Sequence, residues 1–143
     1  MDVKKILNKE VANFAVLYIK LHNYHWYVKG KMFYTLHSKF EELYDAVTGY
    51  YDAVAERLLM LGGRPAATMQ ESLALATVKE AGGAESTEEM LKTVIGDFET
   101  VISELAEGIK AANEAGDDVT ADLFTGISGE LQKHNWMLKT LFE

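Results

Sequence analysis

Four stretches of this chain repeat apolar residues at the spacing of an α-helix, and a single break of about 24 residues separates the second stretch from the third. The first runs from about residue 3 to 28 and stops before Gly30. Between Val11 and Val28 it is apolar or aromatic nearly all round, which predicts burial on more than one side. The second, about 32–61, carries Leu36, Phe40, Leu43, Val47, Tyr50, Val54, Leu58 and Leu61, and ends at Gly62-Gly63 with Pro65 beyond. The third, about 86–114, opens at Ser86 with Glu89 three residues on, the pattern of a capping box. Its stripe is Leu91, Val94, Phe98, Val101, Leu105, Ile109 and Ala112. The fourth, about 118–142, carries Leu123, Ile127, Leu131, Leu138 and Leu141, with His134 on the same core-facing stripe.

The connections set the topology. A few residues join helices one and two, and again three and four, so each pair is antiparallel. The break at 62–85, with Gly62, Gly63, Pro65, Gly82 and Gly83 and room for a short helix around Met69–Ala74, is long enough to cross the bundle and leave helices two and three parallel. The expectation is one all-α domain over residues 1–143, a four-helix bundle with one long crossover carrying a short helix. One Pro in 143 residues suits long helices. The absence of Cys excludes disulfides, thiolate metal sites and cysteine nucleophiles. A net charge of −8 disfavours a broad basic nucleic-acid footprint. The N-terminus lacks the apolar run of a signal peptide and no apolar stretch reaches membrane-spanning length, so the expected location is cytoplasmic.

Helix two bears a second stripe. His37, Glu41, Asp45, Asp52 and Glu56 fall within roughly 100° of one another on a helical wheel, about 145° from the apolar stripe. Acidic residues alone would make a solvated face. His37 within the stripe, and Tyr44, Val47, Thr48 and Tyr51 beside it, argue for more. His37/Glu41 and Asp52/Glu56 are i,i+4 pairs, each able to share a metal ion. The two pairs start 15 residues apart, about 22 Å along a helix, too far to hold one ion within one chain. If two copies of helix two pack antiparallel about a two-fold axis, His37/Glu41 of one meets Asp52/Glu56 of the other, giving two identical composite sites. Imidazole and carboxylate ligands suit Fe(II), Zn(II) or Co(II). Di-iron sites inside helical bundles use Glu-x-x-His, and no Glu here has a His three residues later, which again favours the site between copies. Helix one ends His22-Asn23-Tyr24-His25-Trp26 beside the start of helix two, so either His22 or His25 can join the ligands.

These residues resemble the Dps (DNA-binding protein from starved cells) family of ferritin-like proteins. The likeness rests on His25-Trp26, His37, Asp52 and Glu56 at their fixed spacing, on Asp52-Ala-Val-Ala-Glu56-Arg57, and on Leu61-Gly62-Gly63, and spans nearly the whole chain. The resemblance implies a ferritin-like bundle assembled as a hollow homo-dodecamer, with two-iron ferroxidase centres at its two-fold interfaces. It picks His25 over His22. Asp52 and Glu56 of one subunit and His25 of its mate would hold the tighter iron, and His37 and Glu41 the second; the family often has Asp where this chain has Glu41. Trp26 would sit close enough for electron transfer. The implied reaction oxidises Fe(II) to Fe(III), preferably with hydrogen peroxide, stores ferric mineral and protects against oxidative stress. Asp118 and Asp122 would line three-fold pores, and Glu42 and Asp45 would face the cavity as nucleation sites. Asp117 reads equally as an N-cap. Zn or Co could substitute for iron. DNA binding is not expected, because only Lys4 and Lys5 precede the first helix. The competing reading is a non-enzymatic DNA-protecting or structural shell of the same fold.

Overall fold

Side-chain caps start four of the five helices. In the computed structural model, which describes residues 2–142, the elements are α1 (Val3–Tyr27), α2 (Phe33–Met60), α3 (Met69–Leu75), α4 (Thr87–Glu114) and α5 (Asp118–Thr140). Asp2, Thr68, Ser86 and Asp117 each accept a hydrogen bond from a backbone N–H of the first turn that has no helical partner. Ser86 and Glu89 complete the expected capping box. α2 starts without a side-chain cap at Met32. It follows instead from the turn at Gly30, whose φ of 98° favours glycine.

The four long helices are one or two residues shorter than their sequence patterns, whereas α3 runs one residue beyond the expected Met69–Ala74. Val28 is extended (ψ 143°) and Leu61 is the C-cap of α2. Leu141 and Phe142 lie in a turn beyond α5, so apolar periodicity outlasts the helix there.

Contacts between helices give their directions. Along α1 and α2, His25 meets His37, Tyr18 meets Tyr44 and Phe14 meets Tyr50. Between α1 and α4, Lys20 meets Asp97 and Asn13 meets Glu104. Between α2 and α5, Tyr50 meets Glu130 and Arg57 meets Thr120. In each series one number rises as the other falls, so these neighbours are antiparallel and α2 and α4 run parallel. This is the one-crossover bundle expected from the sequence.

The crossover travels beside α1 from end to end. Ala66 N donates to Asn8 Oδ1 (2.8 Å), Thr77 N to Asn13 Oδ1 (2.8 Å), Lys20 Nζ to the Lys79 carbonyl (2.7 Å), and Tyr24 Oη to Glu85 Oε2 (2.5 Å). Residues 66 to 85 thus climb as α1 climbs from 8 to 24. This explains why α1 is buried nearly all round: it packs on α2, α3 and α4.

Phe14, Phe40, Phe98 and Phe124 are fully buried at the centre of the bundle. Each such ring contributes about 1.5–3 kcal/mol of hydrophobic stabilisation. Gly108 lets Phe124 approach α4, since a Cβ there would lie 2.5 Å from Phe124 Cε2.

Candidate metal centre

The geometry at the α1–α2 turn begins with two histidines that position each other. His25 Nδ1 lies 2.6 Å from the carbonyl oxygen of His37, and His37 Nδ1 lies 2.6 Å from the carbonyl oxygen of His25. A carbonyl only accepts, so both Nδ1 atoms carry the proton and donate. In the neutral imidazoles this leaves both Nε2 atoms with a free lone pair, the form that binds a metal. The rings stack at 3.7 Å with planes 12° apart. Phe33 stacks on His37 at 4.9 Å, and Tyr44 stands edge-on to His25 at 5.4 Å. Both rings are therefore fixed by a carbonyl behind them and aromatic walls beside them.

Glu41 is the carboxylate nearest the pair, its Oε1 3.9 Å from His25 Nε2. It is exposed, as are Asp45, Asp52 and Glu56 further along the same face of α2. Four carboxylates on one outward face concentrate negative potential and draw cations. Asp52 and Glu56 lie about four and five turns from His37, and among the described residues no three His, Asp or Glu side chains form a cluster able to hold a metal. The structure thus places Glu41 beside the stacked His25–His37 pair, short of a three-ligand site, and leaves Asp52 and Glu56 apart from them within one chain.

His22 goes elsewhere. Its ring stacks on Tyr44 at 3.7 Å, and its Nδ1 lies 2.7 Å from the Tyr18 carbonyl. Trp26 is 66% exposed and stands edge-on to His22 at 5.5 Å, with His22 and Tyr44 between it and His25. Tyr44, part of this aromatic wall, has its hydroxyl pushed above the usual range by burial and by the Glu41 and Asp45 carboxylates. The reciprocal backbone bonds of His25 and His37 had no signal in the sequence beyond the 12-residue spacing across a turn.

The remaining candidates divide. Glu42 turns toward α5 and pairs with Lys39 (3.3 Å), whereas Asp45 stays on the outward stripe. His134 is half-buried near Phe98, and burial lowers its pKa, as befits a residue packed in the bundle. Asp117 caps α5 and pairs with Arg57 (2.8 Å), whose Nε also donates to Thr120 Oγ1 (2.9 Å). Burial opposes ionisation of Asp117, but the Thr120 and Arg57 hydrogen bonds outweigh it and hold the carboxyl below its usual range. Asp118 and Asp122 are exposed on the first turns of α5. No periodic signal marks Arg57 as the residue that ties the end of α2 to the start of α5.

Between α1 and the crossover, with Tyr51 of α2 on its wall, lies an apolar groove of about 410 Å³, lined in part by Tyr18, Ile19, Met69 and Leu73. Ile19 and Met69 are 51% and 74% exposed.

Antiparallel helix neighbours, a single crossover and an outward histidine–carboxylate face define a ferritin-like protein. A ferritin-like domain model matches residues 4–143. General stress protein 20U of Bacillus subtilis (strain 168) is 56% identical over 133 residues, covering 93% of this chain and 92% of that one. DNA protection during starvation protein 2 of Bacillus anthracis is 47% identical over 138 residues, covering 96% and 94%. The crystal structure of a Dps protein from Bacillus brevis superposes with a TM-score of 0.97 at 49% identity, covering 99% and 95%. The chain belongs to the Dps family.

Proposed function

We propose that this protein is a ferroxidase that oxidises Fe(II) with hydrogen peroxide and stores the ferric product inside a hollow homo-dodecamer. Fe(II) is the substrate: two Fe(II), one peroxide and two protons give two Fe(III) and two waters, with no hydroxyl radical released. The observation that carries this reading is the locked histidine pair, with Nε2 lone pairs free and Glu41 alongside. Its donor set, imidazole and carboxylate without thiolate, fits Fe(II) and also admits Zn(II) or Co(II). His25 and His37 would supply nitrogen ligands, and Glu41 a carboxylate. Asp52 and Glu56 would come from a second copy packed antiparallel on α2. The apolar groove that reaches Tyr51 of α2 supports such packing, because a second copy there would cover exposed Ile19 and Met69. In that assembly Trp26 stands ready for electron transfer, Asp118 and Asp122 line entry pores, and Asp45, with Glu42 more weakly because Lys39 engages it, faces the mineral. The setting is cytoplasmic, with a role against oxidative stress. No described helix is long and apolar enough to cross a membrane.

The shared site is tested by complementation. His25→Ala and Asp52→Ala chains, each inactive alone, are unfolded together and reassembled. Mixed two-fold pairs hold one intact site, so peroxide-driven iron oxidation returns to about a quarter of wild type. No recovery from properly assembled mixtures would rule out a site built from two copies.

The names of relatives favour a second reading, a shell that protects DNA directly. A net charge of −8 opposes phosphate contact. Binding of duplex DNA that weakens steeply with salt, unchanged in His25→Ala, would support the second reading over the first.

A further inference from the structure

Away from the histidines, the densest polar cluster joins α1, α4 and the crossover. Glu10 and Asn13 are fully buried on α1, and Glu104 reaches them from α4. Asn13 Nδ2 donates to Glu10 Oε1 (3.0 Å) and to Glu104 Oε1 (2.9 Å). Asn13 Oδ1 accepts the backbone N–H groups of Thr77 (2.8 Å) and Val78 (3.0 Å). One amide thus holds two carboxyls on one side and the crossover on the other.

The two carboxyls are served unequally. Glu104 receives Asn13, the Thr77 hydroxyl (2.8 Å to Oε2) and the Lys9 ammonium (3.5 Å to Oε2). Its charge is matched. Glu10 Oε2 has no donor and no solvent, and the shared Asn13 amide holds the Glu10 carboxyl beside that of Glu104. Two carboxylates cannot meet there as anions, since neither water nor a donor offsets the second charge. As a carboxylic acid, Glu10 instead donates its O–H to Glu104 and the cluster is satisfied. Lys9, on α1, is the cation facing the pair; the crossover contributes the neutral Thr77 hydroxyl and two amides.

We propose that Glu10 and Glu104 share one proton across the α1–α4 contact, and that this proton latches the crossover onto α1, so that rising pH eases its release. Burial, then the hydrogen bond to Glu104, push the Glu10 pKa up to about 9. A detached crossover exposes Glu10, which then ionises at its ordinary value. Opening therefore releases a proton across the window between about 4.5 and about 9, and above that window the closed form has lost its proton too. The α3 side of the groove beside α2 belongs to this same crossover.

The test uses the assembled wild-type protein and Glu10→Gln, whose amide can donate to Glu104 without titrating. Infrared spectra of the wild type should show a protonated carboxyl at neutral pH that disappears with a midpoint near 9, and the difference from Glu10→Gln should isolate it. Amide exchange at Thr77 and Val78, corrected for the intrinsic rate, should quicken by up to about tenfold per pH unit below that midpoint and level off above it. In Glu10→Gln the corrected exchange should be flat. A wild type without the protonated-carboxyl band, a band retained in Glu10→Gln, or exchange independent of pH in the wild type would overturn the proposal. The wild-type titrations need no variant to fold, and none of these readouts depends on iron oxidation.

Discussion

On one flank of α1, Asn8, Asn13, Lys20 and Tyr24 bind the crossover; at its end, His25 meets α2. Both regions place polar side chains at or near full burial. The first closes on itself: Asn13 makes bonds to both carboxyls and two amides, and Lys20 meets Asp97 (2.7 Å) and the Lys79 carbonyl. The second stops halfway. The carbonyls of His25 and His37 take both Nδ1 protons, and the Nε2 atoms are left without a hydrogen-bond partner, an exposed carboxylate lying 3.9 Å from one of them. Closed networks fix a fold, whereas a rigid half-satisfied one is prepared for a ligand.

Substitutions should separate the two regions. The largest expected loss of stability is at Asn13. Asn13→Leu strands the Thr77 and Val78 amides and takes an N–H donor away from each carboxyl, at a cost of about 3–4 kcal/mol in denaturant titration. Iron oxidation per folded molecule should be little changed. His25→Ala should do the reverse: stability falls by only about 1–2 kcal/mol, from the lost bond to the His37 carbonyl and the lost stacking, while iron affinity falls by about 100-fold in anaerobic Fe(II) titration. Equal losses of both properties in either variant would break the comparison.

Lys20→Met comes next, at about 2 kcal/mol. It removes the cation from Asp97, whose carboxyl burial already raises against the pull of Lys20. Proton uptake by Asp97 limits the damage, so the variant should lose least at low pH. A loss independent of pH would show that Asp97 does not titrate in response.

Tyr24→Phe should be the mildest change. The Tyr24 hydroxyl, more than the neighbouring backbone amides, holds the Glu85 carboxyl down at about 2, against the modest upward push of burial. A folded pKa below the unfolded value stabilises above about 4.5 and is lost as pH falls toward 2. Acid unfolding of Tyr24→Phe should therefore have a shallower slope in that window. An unchanged slope would place the acid response on other groups.

The bundle was legible because its signals are local and periodic. Apolar stripes marked the four long helices, and Ser86 with Glu89 marked the start of α4. The length of the break gave the crossover. Helix ends were read one or two residues long, because apolar residues such as Val28 and Leu61 continue into the caps. On α2 the outward histidine–carboxylate stripe was legible from the i,i+4 spacing of His37 with Glu41 and Asp52 with Glu56. The mutual locking of His25 and His37 was not, because it depends on where two carbonyls lie after a turn closes. Nor was the Asn13 cluster, whose partners come from positions 10, 77, 78 and 104. Arg57 was part of the family motif, yet its bond to Asp117 spans 60 residues and leaves no periodic trace.

The most direct test of the ferroxidase reading loads the protein anaerobically with Fe(II), adds hydrogen peroxide, and follows ferric absorbance by stopped flow. Wild type and His25→Ala/Asp52→Ala are run side by side. The account predicts fast oxidation to a soluble ferric product in the wild type and loss of that phase in the double variant. Oxidation no faster than in buffer, or equally fast in both proteins, would contradict it.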